Sequence, residues 1–322
     1  MKLITNFYGQ IGESLKSQIE KYLDSIETPE SISIDIYFDL IKLTPHSSNI
    51  SILILNEPPA VMPENYKSSN YRKFNLVIVL SPWRAESLGI DYWAFIPVPI
   101  PKIRLDSNGI RRDAVVFMND HKFSASNTSL YATRRRILLK MQALNLPIFL
   151  FGTNWRMSRF TEFRKRVAAF RRVFKNMKII SLKEAFSELF AKYTCYQGHA
   201  ESKLETLVGF KFALVIENDK EVLSEKLFDA LYAGCIVFYM GPNLDRFPLL
   251  RECVINLPFD ISGGIAKIQE NLENPPFHIL ERSHEFISNP SYMDFVNEVE
   301  IARTISGHIK SFLMLPHGSS SA

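Results

Sequence analysis

The densest chemistry in this chain lies between two apolar runs. Glu217, Asn218, Asp219, Lys220 and Glu221 follow the apolar residues 212–216, and Ser224, Glu225 and Lys226 come after a two-residue gap. Carboxylates accept hydrogen bonds from sugar or ribose hydroxyls, and an ammonium group neutralises phosphate. The mixture suits a ligand that carries both hydroxyls and negative charge. The surrounding pattern says where it sits. An apolar run, a polar loop, an amphipathic run closed by Gly234 and a second apolar run at 235–240 before Gly241-Pro242 make the order strand, loop, helix, strand. In open parallel sheets ligands gather at the carboxyl ends of strands, beside the amides of the next helix. On pattern alone, Glu225 and Lys226 fit equally a first-turn acid and a solvated lysine, Asn218 a turn residue and Gly234 a helix C-cap.

The rest of the chain must carry this unit. Its 322 residues, 46% hydrophobic and 22% charged, suffice for two α/β domains. A net charge of +4 is a mild excess of base. It is compatible with an anionic ligand or a membrane surface and too small to argue for nucleic acid. Cys195, Cys235 and Cys253 stand alone, as buried free thiols of a reducing compartment do. With no CxxC and no Cys/His cluster, structural zinc is not expected. The first residues are interrupted by Asn6, Gln10, Glu13 and Lys16, unlike a signal peptide. No apolar run approaches the roughly 20 residues of a membrane span. The expectation is a soluble cytoplasmic protein, at most peripheral on a membrane.

Strands are expected at 2–8, 31–38, 50–55 and 74–80, with a helix at 13–26. Residues 31–38 alternate isoleucine with polar residues, the period of a strand with one buried face. A turn-rich stretch at 106–113 marks a domain boundary. The strand pattern restarts at 114–119, followed by a helix at 133–144, strands at 147–151 and 179–180, a capping-box helix at 181–193, the unit described above, a strand at 254–257, and helices at 261–272 and 291–313. Alternating strands and helices in two series predict two Rossmann-like α/β domains facing a cleft, at 1–110 and 111–290, with a closing helix and tail at 291–322.

There is no GxGxxG and no P-loop, which disfavours a dinucleotide dehydrogenase or a P-loop ATPase. Nor is there an Asp-x-Asp. If the ligand is a nucleotide sugar, its leaving diphosphate must therefore rest on side-chain cations and helix N-termini.

The stretch Lys211-Phe212, Glu217-Asn218, Ser224-Glu225-Lys226-Leu227, Ala233-Gly234, Gly241-Pro242 resembles the signature of the α-1,3/4-fucosyltransferases, glycosyltransferase family ten. The resemblance implies a GT-B fold of two Rossmann-like domains and inverting transfer from GDP-fucose to a hydroxyl of a glycan acceptor, such as a lipopolysaccharide or another surface polysaccharide. It implies no cofactor and no essential metal. Carried over residue by residue, it implies Glu57 as general base, with Glu64 second, and an arginine among Arg134, Arg135 and Arg136 on the diphosphate, Arg134 foremost. Lys226 would join that arginine, and Asn119, Arg135, Asn218, Ser224 and Glu225 would bind the donor. The match departs at Ile216, at Asp219, in a shortened loop, and at Val222, where the family has a tyrosine at the donor site. Two other readings are a related transferase using another nucleotide sugar and a non-catalytic nucleotide-sugar-binding protein.

Residues 156–178 hold nine Lys or Arg against one acid, Glu162, with interleaved Phe160, Phe163, Phe170 and Phe174. A solvated helix is one reading. Peripheral contact with an anionic membrane or a lipid-linked acceptor is the other. The seven histidines form no ligand cluster; His121 and His199 flank loops where phosphate could be met.

Overall fold

The computed structural model describes residues 3–9, 11–26, 31–39, 45, 49–95, 110–124, 126–155, 191–289 and 297–314. The chain divides into two compact units, Met1–Ile100 with Pro290–Ala322, and Pro101–Asn289.

The first unit is a four-stranded parallel sheet in the order β1 (Ile4–Gly9), β2 (Ser33–Phe38), β3 (Ile50–Leu55), β4 (Leu76–Val79). Helix α1 (Glu13–Leu23) joins β1 to β2, and α2 (Pro82–Leu88) follows β4. One sheet face carries Ile34, Ile36, Ile52, Ile54 and Ile78, packed against Leu15, Ile19 and Leu23 of α1. The expected C-terminal helix, designated α8 (Glu298–Met314), adds Ile301, Ile305 and Ile309 to the same core. The opposite face is buried too, which corrects the expectation of one buried face at 31–38. Tyr37, Leu53, Leu55 and Val79 pack there against Phe74 and Ala85. Asp35 is fully buried in β2, satisfied by the side-chain amides of Asn6 (2.9 Å) and Asn49 (3.2 Å). A strand buried on both faces suits an all-parallel sheet.

The second unit is a six-stranded parallel sheet. Its elements, with α-helices numbered between α2 and α8, are β5 (Arg112–Met118), α3 (Tyr131–Ala143), β6 (Ile148–Phe151), β7 (Tyr196–Gly198), α4 (Lys203–Val208), β8 (Phe210–Ile216), α5 (Glu225–Tyr232), β9 (Ile236–Met240), β10 (Val254–Asn256), α6 (Ile261–Glu273) and α7 (His278–Ser288). The strand order is β10-β9-β8-β5-β6-β7, so the chain leaves the middle of the sheet in one direction and returns to extend it in the other. That is the doubly wound arrangement, and its switch point lies between β5 and β8. One face packs Phe117, Leu150, Phe212, Leu214 and Phe238 on Ile137, Leu138 and Met141 of α3 and Ile265 and Ile268 of α6.

The sequence reading leaves out α2, α4, α7 and β7, each short or interrupted by polar residues. Residues 179–180 and most of the helix expected at 181–193 lie outside the described residues; Tyr193 itself lies outside any helix. Residues 156–178 also lie outside them.

Candidate functional site

At the carboxyl ends of β5 and β8 the second unit holds a cavity of about 350 Å³. Its walls come from the sheet (Val116, Met118, Ala213, Val215), from α4 and from the first turns of α5. The polar lining includes Asn119, Asp120, His199, Lys203, Glu225, Lys226 and Asp229. Of the residues expected from sequence, Asn119, Glu225 and Lys226 line it together.

The start of α5 is built on a buried acid. Glu217, fully buried at the end of β8, accepts the backbone N–H of Ser224 at 3.1 Å and its hydroxyl at 2.5 Å. Ser224 occupies the N-cap of α5, yet its side chain turns to Glu217 rather than capping the helix. It also accepts Lys226 Nζ at 3.1 Å. The first amides of α5 therefore have no side-chain cap, and the positive end of the helix lies beside the cavity. Burial pushes the Glu217 carboxyl up, against the pull of Lys226 and Ser224. Gly241 is required by close packing. A Cβ there would lie 2.4 Å from the Tyr239 hydroxyl and 2.6 Å from Glu217 Cγ.

Four charges share the α4–α5 side of the cavity. Lys203 Nζ lies 2.9 Å from Asp229 and 3.8 Å from Glu225, and Lys226 Nζ lies 3.6 Å from Glu225. Glu225 and Asp229 stand one turn apart on α5. Burial pushes both acids up. In Glu225 the ammonium groups of Lys226 and Lys203 more than offset it and hold the carboxyl below its ordinary range, whereas in Asp229 burial wins.

Asn119 follows β5 and is 6% exposed. Its N–H donates to the Phe151 carbonyl at 3.0 Å, and its own carbonyl accepts Trp155 Nε1 at 2.5 Å. Its side-chain Oδ1 is buried with no hydrogen-bond partner, although the residue lines the cavity. An orphaned buried acceptor costs about 1–3 kcal/mol unless a ligand donor meets it. Gly152, at φ +140, lets the end of β6 approach: a Cβ there would lie 2.1 Å from the Asn119 carbonyl oxygen.

The arginines stand elsewhere. Arg134 is 2% exposed, and its Nε and Nη2 donate to the Ile216 carbonyl at 2.9 and 2.5 Å. Nη2 also donates to Asn218 Oδ1 at 2.9 Å. Burial lowers its pKa to about 10, so it stays charged at neutral pH. Its guanidinium thus ties α3 to the end of β8. Arg135 donates to the carbonyls of Lys122 (2.8 Å) and Tyr131 (3.1 Å) and lies 4.3 Å over the Phe123 ring. Arg136 is half-buried. Neither Arg134 nor Arg135 lines the cavity. The loop after Asn218 is similarly tied down. Asp219, fully buried, accepts the Thr128 hydroxyl at 2.6 Å and the Glu221 N–H at 3.1 Å. Val222, where the tyrosine was expected, is buried in that loop.

Glu57 lies in the first unit, half-buried just after β3. Glu64 is exposed and paired with Lys67 at 2.7 Å. His199 lines the cavity, whereas His121 is buried among Phe123, Trp155 and Tyr193. The three thiols are free, and burial pushes them to about 11 for Cys195 and about 12 for Cys235 and Cys253. Among the described residues, no group of three or more His, Cys, Asp or Glu is placed to hold a metal ion. Sequence reasoning missed Lys203 and Asp229. The Ser202-x-x-Glu205 capping box would have revealed α4, where Ser202 Oγ accepts the Glu205 N–H at 3.4 Å.

No protein-family model matches the chain, and no curated protein matches it. Solved structures do. A glycosyltransferase from Rickettsia africae aligns over 98% of this chain and 99% of its own, with a TM-score of 0.51 at 10% identity. An alpha-glucosyltransferase in complex with UDP and a 13-mer DNA aligns over 97% and 100%, with a TM-score of 0.53 at 11% identity. The fold is GT-B. An alpha1,3-fucosyltransferase with GDP aligns over 97% and 90% at 11% identity, but its TM-score of 0.48 gives it no weight for the donor. At these identities the likeness is one of fold. Within this GT-B chain the cavity lies wholly in the second unit. No helix of the described residues is long and apolar enough to cross a membrane.

Proposed function

We propose that this chain is an inverting glycosyltransferase that passes a sugar from a nucleotide sugar, GDP-fucose by the motif at 211–242, to a hydroxyl of a glycan acceptor such as a lipopolysaccharide. The observation that carries the reading is the cavity beside the switch point, where an unpartnered Asn119 Oδ1, the start of α5 and Lys226 converge. Lys226 and the positive N-terminal end of α5 hold the diphosphate as the bond from the anomeric carbon to the phosphate oxygen breaks. Glu225 and Asn119 accept hydrogen bonds from donor hydroxyls or N–H groups. Arg134 acts on the donor through Asn218, which it fixes, rather than by touching the diphosphate. Glu57 takes the proton of the acceptor hydroxyl as its oxygen bonds to the anomeric carbon, leaving the nucleoside diphosphate and the protonated acid. Attack opposite the leaving group inverts the centre. No cofactor or essential metal enters this scheme.

A thermal-shift panel tests the donor class. GDP and GDP-fucose at about 100 times their Kd should add about 2.7 kcal/mol of stability, with no effect of UDP or CMP species. Stabilisation by the uridine set alone would overturn the assignment to a GDP-sugar. Glu57→Gln should abolish turnover and leave donor affinity intact. For residues 156–178 the same scheme includes peripheral contact with anionic lipid. Charge reversal of Arg164, Lys165, Arg171 and Arg172 should then release the protein from phosphatidylserine liposomes, and unchanged sedimentation would remove the idea.

A further inference from the structure

The residue after β2 is a buried acid that the chemistry above does not use. Asp39 adopts φ +53, the left-handed region, which aspartate tolerates better than most residues. It is 8% exposed. Its Oδ1 accepts the backbone N–H groups of Asn56 and Glu57, each at 3.1 Å, and the side-chain amide of Asn65 at 3.1 Å. Its Oδ2 accepts the Glu57 N–H at 3.3 Å. On the other side of the same residue, the Glu57 carbonyl accepts the Tyr66 hydroxyl at 2.8 Å, and the Arg84 guanidinium lies 4.8 Å over the Tyr66 ring. Glu57 is therefore anchored through both of its peptide groups. Its carboxylate makes no hydrogen bond or ion pair with any described residue and is left available to a substrate proton.

We propose that Asp39 is a positioning residue that holds the Glu57 carboxylate in reacting geometry. The inference rests on Glu57 being the base. Three donors converge on Asp39 from Asn56–Glu57 and from the turn Pro63–Tyr66, so both sides of the Glu57 loop are locked to the end of β2. Among the described residues, the charged groups around this lock are few. Glu57 repels Asp39 from its own loop, Glu64 of the turn is paired with Lys67, and Arg84 of α2 sits on Tyr66. Burial and the Glu57 charge raise Asp39 to about 6 in spite of its donors. Below that pH the neutral carboxyl is a weaker acceptor for the same N–H groups than the carboxylate. The lock then loosens and turnover falls.

Asp39→Asn places an NH₂ group among those donors. We expect kcat to fall about 10- to 100-fold, the scale set by a misplacement of up to about 1 Å of a reacting group. Affinity for GDP, measured by calorimetry, should stay unchanged, since Asn119, Glu225 and Lys226 belong to the second unit. The wild-type acid limb near pH 6 should move or vanish in the variant, which a merely structural role would not produce. Should Asp39→Asn fail to fold, Asn65→Ala removes the side-chain donor to Asp39 and should lower kcat severalfold at unchanged GDP affinity. Wild-type kcat and pH profile in Asp39→Asn, or in Asn65→Ala if that variant carries the test, overturn the positioning role while Glu57→Gln remains dead. Full turnover in Glu57→Gln overturns the base assignment itself, and the role of Asp39 with it.

Discussion

Arg134→Met separates two roles that one arginine could hold in a nucleotide-sugar enzyme. Methionine keeps much of the volume and removes all donors. Three charge-assisted hydrogen bonds disappear, two to the Ile216 carbonyl and one to Asn218 Oδ1, together with the stacking of the guanidinium 5.0 Å over Tyr131. Each such bond contributes about 1.5–3 kcal/mol, but bonds sharing one donor group do not add fully. Breaking a buried charged network typically costs about 3–5 kcal/mol. For a unit of this size each kcal/mol moves Tm by about 2–4 °C, so the ligand-free protein should melt about 6–20 °C lower. The assay is circular dichroism melting with and without GDP, with calorimetry for affinity at a temperature where the variant is folded. GDP affinity should fall as well, because Asn218 and the end of β8 lose their anchor. An unchanged melting temperature with weakened GDP binding would refute this account and return Arg134 to the diphosphate.

Gly241→Ala forces a methyl group against the Tyr239 hydroxyl and Glu217 and should destabilise by about 1–3 kcal/mol in urea melts, at fixed m-value. Lys226→Met, at a side chain 18% exposed beside the cavity, should weaken GDP binding about tenfold or more in calorimetry, and the ligand-free Tm should fall as well because Glu217 and Glu225 lose their counter-charge. Asp39 makes stability depend on pH in a set direction. Its folded pKa is raised from 3.8 to about 6, so the fold favours the protonated form, and the carboxylate costs about 3 kcal/mol above pH 6. Relative to Asp39→Asn, the wild type should gain about 1 kcal/mol in urea melts between about pH 7 and pH 5, and an opposite slope would show the pKa to be depressed.

Much of the fold was legible because parallel strands are apolar runs. Residues 50–55 and 212–216 announce β3 and β8, and Gly234 marks the end of α5 with φ +69. The second buried face of β2 was hidden because Asp35 and Tyr37 read as solvent-side residues. Their partners, Asn6 and Asn49 for the acid and Phe74 for the ring, lie far off in sequence. Helices α2 and α4 are too short to show a period, and β7 has three residues. Asn119, Glu225 and Lys226, which line the cavity, were singled out by the resemblance; by pattern alone a helix-start acid, a lysine and a strand-end asparagine read as structural or solvated residues. Three adjacent arginines cannot be told apart by type. Only the Ile216 carbonyl, 82 residues away, decides that Arg134 is a tie. Asp39 was invisible for the same reason, with donors 17 to 26 residues downstream.

The central claim is that the cavity at the end of β5 and β8 binds a guanosine diphosphate sugar. Titration calorimetry of GDP and UDP into the full chain, repeated with Asn119→Ala, tests it most directly. The account predicts that GDP binds, that UDP does not, and that Asn119→Ala weakens GDP by about tenfold through loss of one buried acceptor. GDP binding that is absent, or that is untouched by Asn119→Ala, would contradict it.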